Sequence, residues 1–294
     1  MNKRIMFQVT DEKGSVITKI TTEELSLTDL KALKFCYEPI FFLQPITYSF
    51  ESFERNISDL NEYINLISNP EYKLFDKTLN PTALFTTMSG VQQKCSNILA
   101  SANAFLLFVE KKLKSKYGKD SEKSVVWNKF RRDLHKENLD YRLMYELRNY
   151  SIHYGLPVTS LKYNLDGLAS SNPSTKLIVN LSKEKLLNSN FNWKNVRSDI
   201  KSLPENNNLI SMVFNYSEIV KKIYSHLLLV LKDELKVTED NFSSFIQYYQ
   251  IPPNCTPHII SGFNIQGELT NVETEVIPIN ELNWILRKNV TKKE

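Results

Sequence analysis

Glycine is scarce in this chain, seven residues among 294, while leucine, lysine and asparagine are plentiful. Sandwiches and barrels need glycine at their many tight turns, so this mixture favours helices joined by polar loops. Cysteine is sparse as well. Cys36, Cys95 and Cys255 are far apart and odd in number, with no C-x-x-C pair, so neither a zinc site nor a disulfide framework is indicated. There is no glycine-rich phosphate loop, no G-x-S-x-G and no H-E-x-x-H. No cofactor and no metal are therefore expected. No apolar run approaches the roughly 20 residues that span a bilayer. The start, M-N-K-R-I-M-F-Q-V-T-D-E-K, turns charged before a secretory apolar region can form. A soluble, cytoplasmic protein with no membrane partner is expected.

Charge is the next constraint. The formal charge of +4 is too small to demand a nucleic-acid partner, but its distribution is uneven. Between Glu110 and Glu137 there are ten Lys or Arg against five Asp or Glu, an excess larger than that of the whole chain. Such a stretch is either a solvated helix pair or an RNA-facing patch. On the second reading Lys129, Arg131 and Arg132 are candidate contacts to an RNA backbone.

At this length the chain can bury a sizeable core. Residues 4–20 read as a β-hairpin around Asp11-Glu12-Lys13-Gly14, and 22–35 as a short helix. Residues 37–48, with two prolines, are ambiguous, and 49–67 have helical spacing. A polar connector between Asn69-Pro70 and Asn80-Pro81 marks a candidate boundary. The longest helix is expected over 83–117, with Cys95, Ile98, Ala102, Phe105, Val109 and Leu113 as its buried stripe and Gly118 as its stop. Ser121 can cap a second helix to 136 that carries Val126, Phe130 and Leu134 on one face. After Pro157, two strands at 161–168 and 176–181 flank a Ser-Ser-Asn-Pro-Ser turn, followed by short helices at 183–187 and 193–200. A long helix at 207–235 is the fourth bundle member. The tail has a short helix after Glu239, strands at 259–263 and 273–277, and a last helix at 279–287. The expected fold is mainly α, an antiparallel helical bundle with smaller α/β N-terminal and C-terminal additions. Its regions are 1–80, then 81–237 with a strand-containing insertion at about 159–204, then 238–294.

The most informative stretch is 138–158, N-L-D-Y-R-L-M-Y-E-L-R-N-Y-S-I-H-Y-G-L-P-V. Asn138 can cap its start, and Gly155 with Pro157 can end it. At 3.6 residues per turn Leu143, Leu147, Tyr150 and Tyr154 share the stripe that faces the body of the protein. Arg148, Ile152, Tyr145, Asn149 and His153 fall on the other side. An ordinary solvent face does not alternate Arg, Asn and His with Ile and Tyr. This one suits another copy of itself across a two-fold axis, which would line a shared cleft with two arginines and two histidines. Histidine can move a proton near neutral pH, and arginine forks onto phosphate. The plainer alternative pairs Arg148 with Glu146 or Asp140 and leaves His153 to hydrogen-bond the helix end. The other histidines carry less. His135 sits among charges on a helix surface, His226 in an apolar helix as a satisfied core residue, and His258 near Cys255 with too few ligands for a metal.

The string L-R-N-Y-S-I-H-Y-G-L-P-V resembles the signature of the HEPN superfamily: arginine, a polar residue (commonly Asn), then histidine, near the end of a bundle helix. The flanking long helix with Asn97 and Asn103 that ends K-S-K-Y-G, and the W-N-K-F segment after it, are similar too. The resemblance covers about residues 83–158, with 207–235 as a possible extension. It implies a HEPN-like α-helical homodimer, formed through the Arg148/His153 helix, that cuts RNA without metal as a toxin or in anti-phage defence. An antitoxin or defence-system partner is implied as well. Arg148 and His153 would be the catalytic pair and Asn149 the supporting polar residue. The second reading is a non-catalytic HEPN module for dimerisation, nucleotide sensing or partner binding. One departure stands out. Members paired with a nucleotidyltransferase antitoxin often have tyrosine two residues after the histidine, where this chain has Gly155.

Overall fold

The computed structural model describes residues 3–11, 13–69, 81–156, 158–166, 174–252, 255–263 and 269–287. The connector between Asn69 and Pro81, residues 170–173 of the expected turn, and Pro157 lie outside them. The described chain is mainly helical with small antiparallel sheets. Contacts divide it into two compact units, 1–47 with 231–294, and 48–230. None of the described helices is long and apolar enough to cross a membrane.

In the first unit β1 (Arg4–Thr10) and β2 (Val16–Ile20) form the expected hairpin. Its turn is held by Asp11, whose carboxylate accepts from the Ser15 amide at 2.7 Å, while Gly14 supplies a φ of 81°. The free edge of β1 pairs with β6 (His258–Phe263), which pairs with β7 (Leu269–Val276), in the order β2-β1-β6-β7. Ile5 and Ile259 stand opposite one another and both are buried. The strands expected near the two ends of the chain thus build one sheet.

The first helix, α1 (Leu27–Ser68), corrects the sequence reading, because it runs unbroken through Pro39 and Pro45. Each proline removes one helical hydrogen bond and costs about 3 kcal/mol in a helix interior. The deprived carbonyls belong to Phe35 and Phe41, whose side chains are exposed. On the other side Leu33, Cys36, Tyr37, Ile40, Leu43 and Ile46 keep helical spacing through both prolines, and all are buried. Burial of that stripe outweighs the local preference.

In the second unit α2 (Pro81–Tyr117), α3 (Glu122–Glu137), α4 (Leu139–Tyr154) and α7 (Leu209–Val230) each pack against the other three. The expected α2 stripe from Cys95 to Leu113 is buried throughout, and burial pushes the Cys95 thiol up to about 12. Gly118 ends α2 with φ 92°, and the Ser121 hydroxyl accepts from the Ser124 amide to start α3, as the sequence predicts. Residues 48–68 of α1 belong to this unit. Phe50 stacks on Tyr224 of α7 at 4.1 Å, and Asn56 donates to the Ser101 hydroxyl of α2.

The inward face of α3 is not the expected one. Val126 is 40% exposed, whereas Trp127 and Ser124 are sealed. An indole removes far more apolar surface from water than a valine, so it sets the helix rotation. Phe130 stacks instead on the His226 ring of α7 at 3.8 Å.

A three-stranded sheet, β3 (Val158–Asp166), β4 (Ser174–Ser182) and β5 (Asn206–Asn208), carries the short helices α5 (Lys183–Asn188) and α6 (Val196–Ser202) between its second and third strands. The strand at β5 replaces the expected start of a helix at Asn207. Asn208 closes the strand and opens α7, its side-chain oxygen accepting from the Ile210 amide at 3.2 Å. The expected helix 207–235 also stops early. Leu231 leaves helical geometry (φ −104°, ψ 9°), and α8 (Lys232–Tyr248) follows as one helix; α9 (Ile279–Ile285) comes last.

Candidate active site

The candidate residues are carried by α4, whose two ends are made differently from expectation. Asn138 stands at the N-cap position but does not cap α4. Its amide donates backwards to the Leu134 carbonyl at 3.0 Å and so closes α3. At the other end the Gly155 amide donates to the Ser151 carbonyl, and Gly155 takes φ 71° and ψ 167°, a region open essentially to glycine alone. A tyrosine at this position could not follow the same path without strain.

Inward, Leu143, Leu147 and Tyr150 are buried, while Tyr154, at the last turn of the same stripe, is half exposed. Trp193 stacks on Tyr150 at 5.0 Å, fixed by an indole hydrogen bond to the Leu186 carbonyl at 2.8 Å. Arg142 ties α4 to α6 through a forked pair with Asp199, at 2.8 and 3.3 Å, and donates to the carbonyls of His135 and Lys136 at the end of α3. The helix is therefore anchored on three sides.

Outward, the structure brings some candidates together and leaves others apart. Arg148 donates from Nη1 to Oδ1 of Asn149 at 2.8 Å, and Asn149 donates to Oε2 of Glu146 at 3.4 Å. Glu146 is buried, with Oε1 at 3.6 Å from Nζ of Lys194. Among the described residues Arg148 has no carboxylate partner. The alternative pairing with Asp140 fails because that carboxylate accepts from Asn215 at 2.8 Å instead. Nε of Arg148 is buried and unpaired among the described residues. Beyond it Ile152, His153 and Tyr154 are all exposed, and His153 makes no hydrogen bond to any described residue. Five positions at about 100° each place Arg148 and His153 roughly 140° apart around the helix. One chain alone does not converge them.

Next to this face lies a cleft of about 630 Å³, lined by Lys114 of α2, Arg131, Arg132 and His135 of α3, and Tyr141 and Tyr145 of α4. Tyr145 is the link, since it belongs to the same outward face as Arg148. The three proposed backbone contacts fare differently. Arg132 is exposed in the cleft wall and makes no ion pair among the described residues. Arg131 is partly committed: it pairs with Glu110 at 3.3 Å and lies over the Trp127 ring at 4.6 Å. Lys129 is exposed and outside the cleft lining. The hydrogen bond from Lys114, against burial and with help from Arg131, keeps the Glu110 carboxyl below its ordinary value.

His135 is not simply solvated. It stands half-buried, edge-on to Tyr141 at 5.9 Å and to Tyr145 at 6.1 Å. No helical pattern within α3 could announce this, because both rings come from the next helix. Glu146 and Lys194 were also invisible as partners, being distant in sequence. His226 is half-buried rather than satisfied, with Nε2 unpaired among the described residues. Burial lowers both histidines below the ordinary 6.5. For His135 the Arg142 and Arg131 charges add to this, against Glu146 and Asp199; for His226 a hydrogen bond to the Val126 backbone opposes it. A lowered histidine binds its proton less readily when folded than when unfolded. Its stabilising contribution is thus present above about 6.5 and is lost as pH falls through the folded value. The midpoint of thermal unfolding should accordingly drop as pH falls below about 6.5, and the His135→Asn, His226→Gln double variant should flatten that slope. An unchanged slope in the variant would exclude these two histidines as its source.

Comparison of the chain with protein-family models, with curated proteins and with solved structures gives no match.

Proposed function

We propose that the protein is a metal-independent endoribonuclease of HEPN type that acts as a symmetric dimer through the outward face of α4, in anti-phage defence or as a toxin. The observation that carries the reading is the short chain Glu146–Asn149–Arg148, which orients a guanidinium one turn below exposed Ile152, with His153 exposed on the same outward side of the helix. The exposed side chain of Ile152 is what a second copy would cover. The basic cleft beside it supplies a path for a polyanion.

In the shared site a histidine takes the proton of the ribose 2′-hydroxyl, and the 2′-oxygen attacks the adjacent phosphorus. The bond from phosphorus to the 5′-oxygen breaks, and the second histidine, as imidazolium, protonates that leaving oxygen. The products are a 2′,3′-cyclic phosphate and a free 5′-hydroxyl. Arg148 from each protomer holds the non-bridging oxygens as their charge develops. Asn149 acts through Arg148 as a positioning residue.

The test is direct. Purified protein should cut single-stranded RNA in EDTA, leaving cyclic phosphate ends, and should sediment as a dimer. Ile152→Glu places two carboxylates at the two-fold axis and should shift sedimentation to the monomer while cutting activity by at least tenfold. A wild-type dimer that leaves varied RNAs intact would point to the non-catalytic module. Cleavage abolished by EDTA would remove the metal-free mechanism.

A further inference from the structure

The first unit contains a pocket of about 230 Å³ between the first turns of α1 and the sheet, remote in chemistry from the site above. Its walls are apolar, formed by Leu27, Leu30 and Leu33 of α1 with Ile259 of β6. Leu33 and Ile259 are buried, and Leu27 is 78% exposed at the mouth. Three ammonium groups, Lys3, Lys31 and Lys34, stand around it with a single carboxylate, Glu275. None of the three makes an ion pair among the described residues, with Glu275 or with any other carboxylate. The ring of Tyr37 completes the lining. It is 6% exposed, and its hydroxyl is buried without a hydrogen-bond partner among the described residues.

This combination is selective. A surplus of uncompensated positive charge at the rim disfavours cations and favours an anionic head group. Four aliphatic side chains below it favour an apolar body. The volume is below the roughly 300–1,000 Å³ of sites that take drug-sized ligands. It matches about seven or eight waters at ~30 Å³ each, hence a molecule of a similar number of heavy atoms. Burial, with the Glu275, Cys36 and Glu281 charges adding to it, holds the Tyr37 phenol above its ordinary value, so the wall of the pocket presents no phenolate to repel an anion.

We propose that this pocket binds a small carboxylate with a short aliphatic body, its head group held by Lys31 and Lys34 and its chain between Leu27, Leu30, Leu33 and Ile259. The inference stands whether or not the protein cuts RNA, because every residue it uses lies in the other compact unit.

Hexanoate, with eight heavy atoms, is the probe, and the full chain with labelled Ile and Leu methyl groups is the sample. Titration should shift the methyl signals of Leu27, Leu30, Leu33 and Ile259 saturably, at least tenfold tighter than 1-hexanol or hexylamine. Lys31→Glu with Lys34→Glu, two exposed positions, should weaken hexanoate at least tenfold while the remaining methyl spectrum stays unchanged. Leu30→Trp, which fills the pocket, should remove the shifts. Four results would each overturn the proposal: no saturable shift, equal binding of hexanoate and 1-hexanol, charge reversal without effect, or shifts seen only with phosphatidylglycerol vesicles.

Discussion

Alanine at His153 is expected to lower RNA cleavage by about 10²–10⁴-fold, the range that a positioned proton-transfer group contributes. The change should leave the fold intact, because His153 is exposed and makes no hydrogen bond to any described residue. Surface substitutions of that kind stay within about 0.5 kcal/mol. Arg148→Ala should lose about 10²–10³-fold, and Arg148→Lys should recover little of it. An ammonium cannot fork onto phosphate and cannot donate to Asn149 from the same plane. Asn149→Ala leaves the charge in place but frees the guanidinium and deprives Glu146 of its donor. Its loss should therefore fall between those of wild type and Arg148→Ala. Single-turnover cleavage of end-labelled RNA in EDTA, with a thermal melt of each variant, is the measurement. A His153→Ala protein within threefold of wild type would end the assignment of that residue.

The largest expected change in stability is at Trp127→Ala. The indole is fully enclosed where α3 meets its neighbours, and the Arg131 guanidinium lies on its face. Truncation of a buried tryptophan costs about 3–5 kcal/mol. At roughly 2–4 °C per kcal/mol for a domain of this size, the second unit should melt on the order of 10 °C lower. Arg131→Ala removes the lid and the pairing with Glu110 but leaves the indole in place, so its effect should be much smaller. Circular dichroism melts of the two variants separate these contributions. A shift of less than about 3 °C at Trp127→Ala would mean that the surrounding helices collapse into the space.

Much of the helical unit is legible in the residues themselves. The stripe from Cys95 to Leu113 repeats at helical spacing, as do Ile210, Val213, Tyr216, Ile219, Val220, Ile223 and Leu227, and all of these side chains are buried. Signals that act within a few residues, such as the Ser121 cap and the Gly118 stop, are legible in the same way. What escaped depends on partners far along the chain. Pro39 and Pro45 argue locally against a helix, and only the burial of Leu33 to Ile46 overrides them. The rotation of α3 follows from Trp127, whose weight is invisible to a pattern that counts valine and tryptophan alike. The candidate site divides in the same way. Arg148, Asn149 and His153 are candidates through the resemblance and the helix side they share. The Lys194 ammonium near Glu146 and the Arg142–Asp199 fork that steady their helix come from residues about fifty positions away.

The pairing of β1 with β6 has a consequence for synthesis. Arg4 is translated before any of the second unit, yet its ladder partner, Ile260, is translated only after the whole of it. The β1–β2 hairpin must therefore wait with one hydrogen-bonding edge open while the helices of 48–230 assemble, and such an edge is a template for stray strands. The exposed Lys19 on β2 guards one side of the ribbon in the meantime. Arrival of β6 covers the open edge of β1 and withdraws that hazard, so a strand made after the second unit secures one made before it.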